Sequence, residues 1–92
     1  MNPIEDSTIH EYIERIVLPN PIGKIVSRED ILFGLTQELG FPDPKKKAFR
    51  SMSFQNTRQV ITQKMNQEIG WERYGVQREK SRRYGIAWRR IR

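Results

Sequence analysis

The sequence contains no cysteine, a single histidine and no long apolar run. Without cysteine there is no disulfide, no thiolate metal site and no cysteine nucleophile, and one histidine leaves no cluster for a metal or a catalytic dyad. No apolar stretch approaches the roughly 18 residues that a membrane span requires, and the acidic N-terminus lacks the basic and then apolar order of a secretory signal. We therefore expect a soluble, cytoplasmic protein that does not contact membranes.

Signals of catalysis are also missing. The candidate carboxylates are Asp6, Glu11, Glu14, Glu29 and Asp30. They fall where helix starts and solvated helix faces usually carry acids, and His10 stands alone on a mixed helix. No glycine-rich phosphate loop, activated nucleophile or metal-ligand spacing accompanies them. We predict a protein without enzymatic activity, metal site or cofactor.

The length and the even composition indicate one small domain. The 92 residues include five prolines and six glycines, and no repeat or low-complexity tract interrupts them. We assign a single domain to residues 1–92 and expect residues 1–6 to be a loose end.

Charge is divided unevenly along the chain. Residues 1–44 carry three Lys/Arg and eight Asp/Glu, whereas residues 45–92 carry fourteen and three, so the halves have net charges of −5 and +11. A basic half of this strength favours a polyanionic partner, because each cation placed near a phosphate releases condensed counterions. The acidic half is a candidate docking surface for a protein.

Helical spacing of apolar residues predicts a first helix over residues 8–18. Thr8 and Glu11 form a plausible capping box at its start, and Pro19 ends the pattern. After the turn "PNPIG", the β-prone run "KIV" predicts a short strand at 24–26.

A second helix is predicted over residues 28–39. Ser27 with Asp30 is its capping signal, and "GFP" ends it. The segment that follows is helical in composition but contains serines, so we expect a short helix at 45–51, a break near Met52 and a longer helix afterwards.

The longer helix, at 54–69, separates two faces. The apolar face holds Phe54, Thr57, Ile61, Met65 and Ile69. The polar face holds Gln55, Gln59, Thr62, Gln63 and Asn66. Amide and hydroxyl groups with almost no formal charge suit hydrogen bonding to base edges in a major groove.

Arg58 borders the apolar face and could reach a phosphate or pair with an acid of the N-terminal half. Phosphate contacts are expected from Lys45, Lys46, Lys47 and Arg50.

The C-terminal segment alternates in the manner of two strands and predicts a β-hairpin. With the loop centred on Lys80, the pairs are Gly75–Gly85, Tyr74–Ile86, Val76–Tyr84 and Glu72–Trp88. This register places Tyr74, Val76, Tyr84, Ile86 and Trp88 on one side, and Trp71, Ala87 and Ile91 on the other. We interpret these apolar and aromatic residues as structural core. The tip gathers four cations for phosphate or minor-groove contact: Arg78, Lys80, Arg82 and Arg83.

The order helix, short strand, helix, polar helix and basic hairpin resembles the winged-helix family, a relative of the helix-turn-helix proteins. The resemblance implies an α+β fold with a three-helix core, a short strand and a C-terminal basic β-hairpin. It also implies that 54–69 is a recognition helix for the major groove and that the basic segment 77–83, which contains "REKSRR", is the wing. The connection "GFPDPKKKAFRSM" is longer than the family's usual turn.

The last third also resembles a known protein segment. "ITQKMNQEIGWERYGVQREKSRRYGIAWRR" is similar to the C-terminal tail of phage-type replication ATPases of the virulence-associated protein E and primase-helicase kind. No G-x-x-x-x-G-K-[ST] motif accompanies it. The resemblance implies a domain of a larger phage-type replication protein or a free-standing relative from a mobile element.

Three functions remain open. Double-stranded DNA binding, in transcription regulation or as a replication accessory, accounts for the charge division, the polar face and the wing together. A protein-interaction domain would use the acidic half. An RNA or single-strand binder would need exposed aromatics, because single strands are recognised by stacking. Whether two copies form a homodimer on a palindrome is open as well.

Overall fold

A computed structural model describes residues 4–78 and 83–92, with the backbone alone at residues 76–78 and 83–84. This part of the chain is an α+β domain with four α-helices and a three-stranded antiparallel sheet of order β1-β3-β2. The helices are α1 (Asp6–Tyr12), α2 (Arg28–Glu38), α3 (Lys47–Arg50) and α4 (Gln55–Gln67). The strands are β1 (Ile25–Ser27), β2 (Trp71–Arg78) and β3 (Arg83–Arg90).

The first helix begins earlier than predicted and changes type. It starts at Asp6 and continues from α1 into a π-helical turn, Ile13–Val17, closed by a hydrogen bond from Leu18 N to Ile13 O of 2.9 Å. The predicted cap at Thr8 is wrong, since Thr8 lies inside the helix and Glu5 occupies the N-cap position. The expected loose end is wrong for residues 4–6, because Ile4 is buried in the core; residues 1–3 lie outside the described part.

The predicted capping box of α2 is confirmed. The Ser27 hydroxyl accepts from Asp30 N at 3.0 Å, and the Asp30 carboxylate accepts from Ser27 N at 3.4 Å. At the other end Gly40 adopts φ +80° and lets Phe41 N donate to Thr36 O at 2.9 Å. Residues that carry a side chain rarely adopt this left-handed backbone conformation. Glycine adopts it without steric strain and therefore ends the helix at little cost in free energy.

The predicted break between the two later helices is also confirmed. Four residues, 51–54, separate α3 from α4, and Phe49 of α3 stacks on Phe54 with ring centroids 4.8 Å apart. Phe33 of α2 meets the same Phe49 ring edge to face at 6.0 Å. The aromatic contacts therefore hold α3 beside the first turn of α4.

The hairpin register is shifted by one residue from the predicted one. Gly75 pairs with Ile86, Tyr74 with Ala87, Val76 with Gly85 and Glu72 with Arg89. The final pair is Arg78 with Arg83, so the pairing is centred between residues 80 and 81 instead of on Lys80. A shift of one residue exchanges the faces of a strand. Trp71 consequently lies on the same side as Ile86 and Trp88, while Tyr74 and Ala87 lie on the other side.

The core lies where α1, α2, α4 and the inner face of the sheet meet. Its fully buried apolar side chains are Ile9, Ile13, Leu32, Leu35, Ile61, Met65 and Trp88. Each such side chain contributes about 1.5–3 kcal/mol to folding through removal of its surface from water. Ile69, predicted as part of the apolar face, is instead 78% exposed, because α4 ends at Gln67.

Tyr12 packs directly over Gly34 of α2. A Cβ added at Gly34 would lie too close to the Tyr12 hydroxyl oxygen, whereas the ring carbon Cζ would be 3.4 Å away. The contact of the Tyr12 ring with the backbone of α2 therefore depends on the missing side chain at Gly34.

We predict that Gly34→Ala destabilises the protein by about 1–3 kcal/mol through this overlap, although alanine is the better helix former by about 1 kcal/mol. In a Tyr12→Phe background, which lacks the hydroxyl, the penalty should be clearly smaller. Urea unfolding of the four proteins of this double-mutant cycle measures the difference. An equal penalty in both backgrounds would contradict the predicted overlap.

Candidate nucleic-acid interface

Burial of one side of α4 determines which of its residues face solvent. Phe54, at its N-cap, and Thr57, Ile61 and Met65 are all buried and pack towards α1 and α2. These positions recur every three or four residues, which places them on one side of a helix. The predicted apolar face is thus confirmed up to Met65.

The opposite side of α4 is lined with amide side chains. The exposed ones are Gln55, Asn56, Gln59, Gln63, Asn66 and Gln67. At about 100° per residue, these six positions fall within an arc of about 120°, which we call the amide arc. Asn56 and Gln67 were missed from the sequence, although the same spacing places both within about 40° of Gln63. Thr62, at the border of the arc, is only half-exposed, and its hydroxyl donates to Arg58 O at 2.9 Å.

Arg58 pairs with an acid of the N-terminal half, the second of its two predicted roles. Its Nε donates to Glu29 Oε1 at 2.9 Å and its NH2 group to Glu29 Oε2 at 3.3 Å. Both side chains are 29% exposed. A two-pronged contact between a guanidinium and a carboxylate holds both groups firmly in place. The contact ties α4 to the first turn of α2.

Lys64, the other cation of α4, is also paired. Its Nζ lies 2.9 Å from both Glu14 Oε1 and Glu68 Oε1. Hydrogen bonds to Glu14 and then Glu68 raise the pKa of Lys64, and the hydrogen bond from Lys64 lowers the pKa of Glu14. Lys64 remains charged at neutral pH but its charge is offset locally.

Two arginines that contact Thr62 of α4 and Trp88 of β3 were not identified from the sequence. Arg28 reaches Thr62, with NH1 3.5 Å from Oγ1, and its buried Nε has no hydrogen-bond partner among the described groups. Arg73 is exposed and lies over the Trp88 ring, 5.9 Å from the centroid. Both come from elements that are remote in sequence, so helical spacing within α4 gives no sign of them.

Asn66 has a structural hydrogen bond. Its Oδ1 accepts from the Trp88 indole N–H at 3.0 Å, which fastens β3 to the last turn of α4. Trp88 is 1% exposed, so its polar N–H needs a partner inside the protein. This hydrogen bond uses one of the two lone pairs of the Asn66 oxygen and leaves the amide N–H group for the predicted base contact.

The lysines before α4 are exposed. Phe49 anchors α3 in the aromatic cluster, and around it Lys45, Lys46, Lys47 and Arg50 face solvent. None of these four has an ion-pair partner within residues 4–78 and 83–92. The structure thus brings unneutralised cations to the start of the amide arc.

Four cations form the predicted hairpin tip. Lys80 and Arg82 lie outside the described residues, as do the side chains of Arg78 and Arg83. Further down the hairpin, Arg89 forms an ion pair with Glu72, and Arg90 Nε donates to Arg92 O at 2.8 Å. The ion pair offsets the charge of Arg89, whereas the hydrogen bond to a carbonyl oxygen leaves the charge of Arg90 in place.

Comparison with known proteins found no matching family model, no matching curated protein and no matching solved structure. In the part of the chain that the structure describes, no group of three or more His, Asp or Glu side chains is arranged to hold a metal ion. None of the described helices has the length and apolar character to cross a bilayer.

We predict that Asn66→Ala destabilises the protein by about 1–3 kcal/mol, because it leaves the buried Trp88 N–H unpaired. Gln63→Ala is the matched control, since it removes an exposed amide from the same helix and should change the free energy of unfolding by less than about 0.5 kcal/mol. Urea denaturation followed by tryptophan fluorescence measures both. Equal effects would show that the Asn66–Trp88 contact contributes nothing specific.

Proposed function

We propose that this chain is a winged-helix protein that binds double-stranded DNA, with α4 in the major groove and the basic hairpin against the neighbouring backbone or minor groove. The observation that carries the proposal is the amide arc of α4, exposed and uncharged, with unpaired cations beside it. The element order α1, β1, α2, α4, β2 and β3 supports it, and α3 occupies the long connection before α4.

The amide arc supplies groups for base edges. Gln55, Asn56, Gln59, Gln63 and Gln67 have no side-chain hydrogen bond to any described residue. Each carries both a donor and an acceptor, and an α-helix fits the width of the major groove. Direct readout by these side chains would give whatever sequence preference the protein has.

The cations beside the arc supply phosphate contacts. Lys45, Lys46, Lys47 and Arg50 lie before the first turn of α4, whose N-cap residue, Phe54, offers no capping side chain. Free backbone N–H groups at a helix start favour an anion, and nearby cations add to that preference. Arg28 reaches Thr62 at the border of the arc, and its Nε lies 3.9 Å from Glu29 Oε1, so its charge is partly offset.

The other functions have less support from the contacts. Single-strand binding needs exposed aromatic platforms. Trp71, Trp88, Phe49 and Phe54 are buried, and the exposed Phe33 and Tyr74 lie on different elements, α2 and β2. Among the acids of the first half, Glu11, Glu14, Glu29 and Glu38 are engaged in ion pairs, which leaves less free charge for a basic protein partner. A role in transcription or in phage-type replication is compatible with the proposal.

Binding of a fluorescent random duplex of about 20 base pairs, followed by anisotropy over a salt series, tests the proposal. We predict that affinity falls steeply with salt, and that the double substitution Lys46→Gln and Lys47→Gln makes the slope shallower by about two, one for each lost phosphate contact. The matched control, Arg15→Gln with Lys64→Gln, removes the same charge from cations that are already paired and should change the slope much less.

Two results would contradict this account. The absence of duplex binding at low salt would reject the proposed function. Equal changes in slope for the two double variants would show that net charge alone, and not the cations beside α4, governs binding.

A further inference from the structure

The amide arc carries one kind of functional group, the side-chain amide, whereas the polar face of a helix usually carries charged groups as well. The thirteen residues of α4 include no Asp or Glu, and its two cations are Arg58 and Lys64. Every exposed side chain of the arc is Asn or Gln. Asn66 uses its oxygen to accept from Trp88, so the five remaining amides can offer a donor and an acceptor together.

Both cations of α4 are directed away from the arc by their partners. Arg58 is held on Glu29 by two hydrogen bonds of 2.9 and 3.3 Å in a half-buried site. Lys64 is held between Glu14 and Glu68, at 2.9 Å from each. Release of either cation towards DNA would break these hydrogen bonds. The half-buried Glu29 would then keep only the longer ion pair with Arg28, whose Nε lies 3.9 Å from Glu29 Oε1, so the release carries a desolvation penalty.

Each base presents a different group pattern in the major groove, and the arc matches one of them. Guanine is read best by a bidentate Arg or Lys on O6 and N7, and the cytosine N4 amino group is read by a carboxylate. Asn and Gln recognise adenine, because the side-chain NH₂ group donates to N7 while the side-chain oxygen accepts from the N6 amino group. The arc has five amides of the last kind and neither of the other two groups.

We infer that α4 recognises A·T base pairs through the major-groove edge of adenine. The inference rests on the proposed function, since it specifies which duplexes that same surface prefers. Lys45, Lys46, Lys47 and Arg50 hold the backbone without regard to sequence, and the arc adds discrimination in favour of adenine.

Competition binding at one fixed salt concentration tests the inference with three duplexes of equal length, about 20 base pairs. The first contains A·T pairs, the second G·C pairs, and the third inosine·C pairs. Inosine keeps the N7 and O6 acceptors of guanine in the major groove but lacks its N2 amino group, so the third duplex resembles A·T only in the minor groove. We expect the A·T duplex to bind at least about fivefold tighter than both others.

Two further comparisons locate the contact. Replacement of adenine by 7-deazaadenine removes the N7 acceptor and should reduce the affinity for the A·T duplex towards that for the G·C duplex. Replacement of guanine by 7-deazaguanine in the G·C duplex should change the affinity little.

The double substitution Gln59→Ala and Gln63→Ala should lower the ratio of A·T to G·C affinity. Gln37→Ala, which removes an exposed amide from α2, should preserve that ratio.

The outcomes separate the inference from the proposed function. Equal affinity for all three duplexes, or a preference for G·C, would overturn the inference and leave duplex binding intact. An inosine·C duplex that binds as tightly as the A·T duplex would also overturn it, since the preference would then come from the minor groove. No binding to any duplex would reject the proposed function and remove the basis of the inference with it.

Discussion

Burial of the apolar side of α4 fixes the orientation of this helix and thereby the surface that it presents to solvent. Ile61 and Met65 are fully buried between α1, α2 and the sheet, and Thr57 lies in the same buried row. Once these positions face inwards, the period of the helix directs the amide arc outwards. The surface available for a ligand therefore follows from core packing, and any substitution that rotates α4 would change which side chains it presents.

Ion pairs across elements decide where charge remains available. Arg15 joins Glu11 to Glu38, Arg58 joins α4 to Glu29, and Lys64 contacts Glu14. Exposed pairs of this kind add little stability individually, but each one removes a cation and an acid from the free surface. The lysines around α3 and Arg50 lack such partners in the described structure, so four unpaired positive charges follow closely on one another before the first turn of α4.

Local signals in the sequence predicted the features that depend on neighbouring residues. The box at Ser27 and Asp30, the stop at Gly40 and the break near Met52 are each set within a few positions. The hairpin register was wrong because it depends on whether the turn has an odd or even number of residues, and one position reverses every face. Three further contacts join residues at least 15 positions apart, which helical spacing does not reveal. Arg28 contacts Thr62, and both Arg73 and Asn66 contact Trp88.

The most direct test of the central claim is an NMR titration of the ¹⁵N-labelled protein with an unlabelled DNA duplex. Side-chain NH₂ resonances report the amide arc itself, independently of changes elsewhere in the fold. We expect the largest shifts at the side-chain amides of Gln55, Asn56, Gln59 and Gln63 and at the backbone of α3, with little change in α1. Shifts confined to α1 and the acidic start of α2, with the amide arc unaffected, would contradict it.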